Sequence, residues 1–181
     1  SFKASKQLPA IAVVMGSDSD LATLQPGIKI LEDFDIDIEV RILSAHRTPN
    51  EMIEFATNAE EKGLKVIIAG AGGAAHLPGM IASLTSIPVI GVPIKTKTLS
   101  GVDSMYSILQ MPAGIPVATV AINGGLNSGL LAAEILGIYD SQVKEKLTLY
   151  RKNMHAKVIK KNKDLQDLGT ENYLKIIKDS K

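Results

Sequence analysis

The chain has 181 residues, 45% of them apolar and 22% charged, enough for one substantial core and without any demand for a second domain. Twenty Lys and Arg against nineteen Asp and Glu leave a net charge of +1, which argues against attachment to nucleic acid or membrane by bulk electrostatics. There is no cysteine, so disulfides, thiolate nucleophiles and Cys-ligated zinc are excluded.

The opening Ser1-Phe2-Lys3-Ala4-Ser5-Lys6 lacks the apolar stretch of a signal peptide. Apolar runs elsewhere are strand-sized and broken by Gly and Pro, too short for a transmembrane helix. Cytoplasm is the expected location. The chain begins with Ser1 rather than Met, which leaves a free-standing protein and a piece of a longer polypeptide both open.

Short apolar runs then alternate with helical patterns. Strands are expected at 11–15, 36–43, 65–69, 89–92 and 117–122, and helices at 21–34, 49–62, 77–85, 103–110 and 126–136. In the first helix Leu21, Leu24, Ile28, Leu31 and Phe34 form one apolar stripe. The strands at Ile11, Lys65 and Val117 read as near-continuous apolar runs, the mark of burial on both faces, whereas Ile36 to Ile42 alternates as a half-buried strand does. The expected fold is α/β, a three-layer sandwich with a parallel, flavodoxin-like sheet in a core of about 10–138. The tail of about 139–181 carries a helical stripe of Val143, Leu147, Tyr150, Met154 and Val158 amid lysines, and a second short helix near 171–177. Too little of it is apolar to fold alone. It packs either on its own domain or across a subunit boundary, and the pattern does not choose. Its lysines are spread around the helix, so no nucleic-acid patch is expected.

Ligands of such sheets bind beyond the carboxyl ends of the strands, and three unusual loops fall there. After the first strand comes Gly16-Ser17-Asp18-Ser19-Asp20. Ser17 and Ser19 can donate to phosphate oxygens, and a carboxylate such as that of Asp20 can accept from a ribose diol. Either aspartate could instead simply cap the helix. After the second strand comes Ser44-Ala45-His46-Arg47-Thr48-Pro49, with Thr48 an N-cap, Pro49 at the first helical position and Glu51 completing a capping box. His46 and Arg47 therefore sit just ahead of a helix N-terminus that favours an anion.

After the third strand runs Gly70-Ala71-Gly72-Gly73-Ala74-Ala75-His76-Leu77-Pro78-Gly79. Such small residues let the main chain approach a flat ligand. Helix-on-sheet packing explains one or two of these glycines but hardly all four. Gly70-x-Gly72-x-x-Ala75 matches the loose dinucleotide fingerprint, yet Gly91-Val92-Pro93 ends the next strand without an acidic residue for a ribose. No Lys-Ser or Lys-Thr completes a phosphate-binding P-loop. There is no Gly-x-Ser-x-Gly elbow, and no His-x-x-x-His or Glu-x-x-His spacing, so neither serine hydrolysis nor a metal site is expected. His155 lies in the tail, and His76 could merely cap its helix. What remains is acid–base work by His46, an imidazole being the side chain that titrates near neutral pH.

These loops, together with Asp103-Ser104 and the following Gln110-Met111-Pro112, resemble the PurE family of 5-(carboxyamino)imidazole ribonucleotide mutases, class I. The resemblance runs from about Ile11 to Leu136. It implies a cofactor-free, metal-free transfer of carboxylate from the exocyclic nitrogen to C4 of aminoimidazole ribonucleotide, in de novo purine synthesis. It implies His46 as general acid and base. Arg47, Ser17 and Ser19 would hold the phosphate with support from Ser44, and Asp20 the ribose. Ala71, Gly72, His76 and Leu77 would line the base and carboxylate end, beside CO2. Many relatives carry Trp where this chain has Leu21. A second class, which carboxylates aminoimidazole ribonucleotide directly with CO2, typically has Lys where this chain has Arg47. Fungal members are fused behind an ATP-dependent carboxylase domain. The resemblance also implies a homo-octamer with the tail at subunit contacts. Direct carboxylation and a flavodoxin-like FMN-binding module are the alternatives, the second disfavoured by three Phe, four Tyr and no Trp to stack on a flavin.

Overall fold

The computed structural model describes residues 8–179, so the opening Ser1 to Lys6 segment lies outside the described residues. Five strands form one parallel sheet in the order β2-β1-β3-β4-β5. They are β1 (Ile11–Met15), β2 (Ile38–Ile42), β3 (Val66–Gly72), β4 (Val89–Ile94) and β5 (Ala118–Thr119). The helices are α1 (Leu21–Asp33), α2 (Pro49–Thr57), α3 (Leu77–Ala82), α4 (Val102–Leu109), α5 (Gly125–Leu136) and α6 (Ser141–Asp179). This is the expected three-layer, flavodoxin-like α/β arrangement.

Each central strand divides its side chains between two cores, because successive residues point to opposite faces. Ile11, Val13 and Met15 of β1 join Val66, Ile68, Ile90 and Val92 under α1 and α5. Ala12 and Val14 join Ile67, Ala69, Met52, Phe55 and Ile81 under α2 and α3. Both faces are covered at β1 and β3, hence their unbroken apolar runs, but the run at Val117 is not buried as expected: β5 is an edge strand and Ala118 is exposed. At the edge, β2 pairs on one side only, and its Val40 and Ile42 stay 42% and 57% exposed. Alternation identified that strand, but the half-burial expected of it is not met: none of its residues is fully buried.

The fifth strand is shorter than the expected 117–122. Val120 N–H still reaches Gly91 O at 3.1 Å. The next rung would need an N–H from Pro93, which has none, so the ladder stops. Helices α2 and α3 also end early, at Thr57 and Ala82, where the chain turns off toward β3 and β4.

The tail resolves into two parts. Asp140 Oδ1 accepts from the N–H groups of Gln142 and Val143 at 2.9 and 3.2 Å, starting α6. Val143 and Leu147 are buried against the first core, Tyr150 stands edge-on to Phe34, and Lys146 donates to Phe34 O at 2.8 Å. The stripe then leaves the body: Met154 and Val158 are 52% and 64% exposed. The helix breaks at Gly169 (φ 74°, ψ 162°) and resumes, close to where a second short helix was expected. No helix among the described residues is long and apolar enough to cross a membrane.

Candidate active site

Strand order reverses between β1 and β3, and there the three loops singled out from the sequence meet in one cavity of about 280 Å³. The loop after β1 supplies Ser17, Ser19 and Asp20 to its wall, and the loop after β2 supplies Ser44, His46 and Arg47. The end of β3, which runs past the expected 65–69, supplies Ala71 and Gly72, the loop after it supplies His76, and the start of α3 supplies Leu77. Every candidate residue is on this one surface. Gly16, Ala45 and Ala74 line it as well, and only their place in the same loops could have identified them.

The first loop is a 3₁₀ turn, Asp18–Asp20, entered through Ser17. Ser17 N–H donates to Asp20 Oδ2 at 3.2 Å, and Ser17 Oγ accepts from Ser19 N–H at 3.4 Å, a capping box built one turn ahead of α1. The two serine hydroxyls lie 3.0 Å apart and end on Asp18, whose carboxylate is exposed. Asp20 therefore does cap, but caps the 3₁₀ turn rather than α1, where it makes no side-chain bond.

Asp20 is only 8% exposed, and burial pushes its carboxyl above the usual carboxylate range, against the opposing pull of Ser17 N–H, Ser19 and the Arg47 charge. An acid so raised favours the folded state while protonated and loses that contribution as pH climbs through its folded value. Asp20→Asn keeps an acceptor for Ser17 N–H and does not titrate. Its melting temperature is expected to exceed the native protein's increasingly as pH rises from the carboxylate range to neutrality. A difference that does not change with pH in thermal melts would remove burial as the dominant effect.

In the second loop Ser44, 9% exposed, turns its Oγ to Arg47, accepting from the backbone N–H at 3.1 Å and from Nε at 3.3 Å. One terminal nitrogen of Arg47 donates to Gly16 O at 2.7 Å. The guanidinium is thus pinned between two loops, and among the described residues no protein group takes the other terminal nitrogen. Ser44 therefore braces Arg47 from its own loop. Thr48 is the N-cap residue of α2 and Pro49 follows it as expected, but the capping box with Glu51 does not form: Thr48 Oγ1 accepts from Ser44 N–H at 2.9 Å and donates to Ser44 O at 3.2 Å, closing the loop instead of bonding the helix. A side chain bound backwards cannot serve the helix ahead of it.

His46 and His76 meet across the cavity, Nε2 to Nδ1 at 2.7 Å, with rings edge-on at 4.7 Å. One of these nitrogens must carry the proton the other accepts. His76 makes no capping bond to α3, so its ring is committed to His46. The four glycines of the third loop divide by cause. A Cβ on Gly70 would lie 3.0 Å from Leu24, and one on Gly79 would lie 2.9 Å from Met111 Sδ, so packing accounts for two. Gly73 has φ +71°, which favours glycine. A Cβ on Gly72 would meet only ordinary contacts, and no packing or backbone demand explains this cavity-lining residue.

Among the described residues no group of three or more His, Cys, Asp or Glu is placed to hold a metal. A larger cavity of about 670 Å³ lies between α5 and α6, lined by Leu130, Leu131, Tyr150, Met154 and His155 among others. It is mainly apolar, and beside His155 its charged side chains Glu134 and Arg151 are paired with each other. The smaller site has what chemistry needs: a paired imidazole, an anchored cation and a buried carboxyl in one pocket.

Residues 10–157 match the AIR carboxylase family. The N5-carboxyaminoimidazole ribonucleotide mutase of Thermotoga maritima is 56% identical over 167 residues, 92% of this chain and 98% of that protein. A phosphoribosylaminoimidazole carboxylase of Candida albicans is 53% identical over 174 residues, covering 96% of this chain but 31% of its own length. Among solved structures, the PurE of Treponema denticola superposes with a TM-score of 0.79 at 28% identity, over 87% of this chain and 98% of that one.

Proposed function

This chain belongs to the AIR carboxylase family, and from that premise we propose how its pocket works. The enzyme is a mutase of de novo purine synthesis, converting 5-(carboxyamino)imidazole ribonucleotide to 4-carboxy-5-aminoimidazole ribonucleotide. The observation that carries this reading is the single cavity at the strand-order reversal, which gathers His46, Arg47 and Asp20 from two loops and His76 from a third.

In the first step the bond between the exocyclic nitrogen and its carboxylate breaks. CO2 leaves, and the nitrogen takes a proton from the His46 imidazolium. Ring carbon C4 then attacks CO2, and His46 removes the C4 proton, so the imidazole ends as it began. The sum is an isomerisation. Arg47, Ser17 and Ser19 hold the phosphate, Ser44 steadies Arg47, and Asp20 takes the ribose. Ala71, Gly72 and Leu77 line the base end with His76. Holding CO2 against the ring makes the second step effectively intramolecular.

The chain is one domain in this reading, acting in the cytoplasm as a homo-octamer with the tail at subunit contacts. The support for the assembly is the run of apolar side chains that α6 leaves uncovered, Met154, Val158 and Ile159 among them.

A spectrophotometric assay with both ribonucleotides at controlled bicarbonate tests the reaction. The carbamate substrate should turn over at low bicarbonate, and aminoimidazole ribonucleotide only at very high bicarbonate. Efficient turnover of aminoimidazole ribonucleotide at low bicarbonate would instead make the enzyme a direct carboxylase.

A further inference from the structure

We propose that Ser104, which touches no substrate, is a positioning residue for the His46–His76 pair and acts through the turn at Gly73. The proposal rests on the reading that His46 carries the proton. It also gives a role to the Asp103-Ser104…Gln110-Met111-Pro112 stretch, which contributes no wall to the cavity.

Ala75 and Leu77, on either side of His76, are each 1% exposed in the second core. Gly72, Gly73 and Ala74 before them bring almost no side chain with which to anchor, and glycine has the widest backbone freedom of any residue. Yet the loop must present His76 with its Nδ1 2.7 Å from His46 Nε2. The glycine end of the loop is anchored from α4. Ser104 is fully buried, at 0% exposure. Its hydroxyl donates to Ile94 O at 2.7 Å, which commits the proton and leaves the lone pairs as a directed acceptor for Gly73 N–H at 2.9 Å. Ser107 Oγ, one turn further along, lies 3.2 Å from Gly73 O but gives its proton over the shorter 2.8 Å to Asp103 O. At the other end Met111 packs so closely on Gly79 that a Cβ there would meet its sulfur at 2.9 Å.

The span that carries His76 is therefore held at Gly73 by the Ser104 hydroxyl, at Ala75 and Leu77 by the core, and at Gly79 by contact with a thioether. Within it His76 N–H donates to Ala74 O at 2.9 Å, so a movement at Gly73 passes to the histidine across one tight turn. A buried hydroxyl with both bonds made is informative, since alanine would fill the same helical position without needing partners.

The test is a double-mutant cycle on the full-length enzyme, with kcat and KM for the carbamate substrate and thermal melts for each variant. Ser104→Ala is expected to lower kcat about tenfold, because displacement by a fraction of an ångström is expensive at a reacting centre. KM should change less than about threefold, since the phosphate loops after β1 and β2 are not touched. In a His76→Ala background the same substitution should lower kcat less than about twofold, its route having been removed. If the alanine variant does not fold, Ser104→Cys, nearly the same size but a weak hydrogen-bonding group, takes its place with a smaller loss of the same kind. Native kcat in the variant, or an undiminished loss in the His76→Ala background, overturns the proposal. His76→Ala with native kcat and KM would overturn both the proposal and the site reading beneath it. His76→Ala impaired beside an unimpaired Ser104 variant would sink the proposal alone.

Discussion

Replacing His46 with Asn is expected to leave nucleotide binding within a few-fold of native and to lower turnover by roughly 10³-fold or more, in the range that positioned acid–base groups supply. Asparagine is planar, close in size to imidazole, and can still hydrogen-bond to His76 Nδ1, which sits 2.7 Å from the present His46 Nε2. What it cannot do is carry a proton away and bring it back. Arg47 is unaffected, because it is held by Ser44 and Gly16 rather than by His46. A loss of that size corresponds to about 4 kcal/mol of barrier. Steady-state turnover beside calorimetric titration of the nucleotide separates the two effects. A normal rate would remove His46 from the chemistry, and equal losses of binding and turnover would make it a binding group.

The second large effect concerns the scaffold. Where α1 crosses α5 the two backbones touch. A Cβ on Gly125 would lie 2.0 Å from Thr23 O and 3.1 Å from Leu24 Cα, and one on Gly27 would lie 2.2 Å from Gly125 O. On Gly129 the distance to Gly27 O would be 2.6 Å. The obstacles are main-chain atoms, so no rotamer change relieves them and the helices must separate. Gly125→Ala is expected to destabilise the fold by more than about 3 kcal/mol, beyond the usual range for overpacking. Because α1 begins directly after Asp20, whatever folds should also bind nucleotide more weakly. Gly16→Ala is the contrast: a Cβ there would meet nothing within 4 Å, and its stability should stay close to native. Denaturant midpoints measure both, and a near-native Gly125→Ala would show that this crossing can open at little cost.

How much of this was legible without coordinates follows from the range of the interactions involved. β1 and the start of α1 fall where expected, because periodicity over a dozen residues is a local property with a strong local signal. The site loops could be listed for a similar reason: a parallel sheet sends its strand ends to one side, so loops after β1, β2 and β3 have a common destination. Family membership was also readable, since several short motifs agreed in order and spacing. Expectations failed where a residue had two partners to choose from. Thr48 has the sequence of an N-cap and bonds backwards to Ser44. β5 ends early because Pro93 on the neighbouring strand lacks a donor.

The chain order of residues was enough to establish layer architecture, the three loops and the imidazole most suited to move a proton, because patterning and chemical type are written locally. Folding in three dimensions alone decided that His46 pairs with His76, thirty positions away, and that Arg47 is braced by Gly16. It alone decided that buried Ser104 grips Gly73. Those contacts join segments remote along the polypeptide, and their geometry depends on the sum of all the packing between them, for which no window of sequence holds a signal.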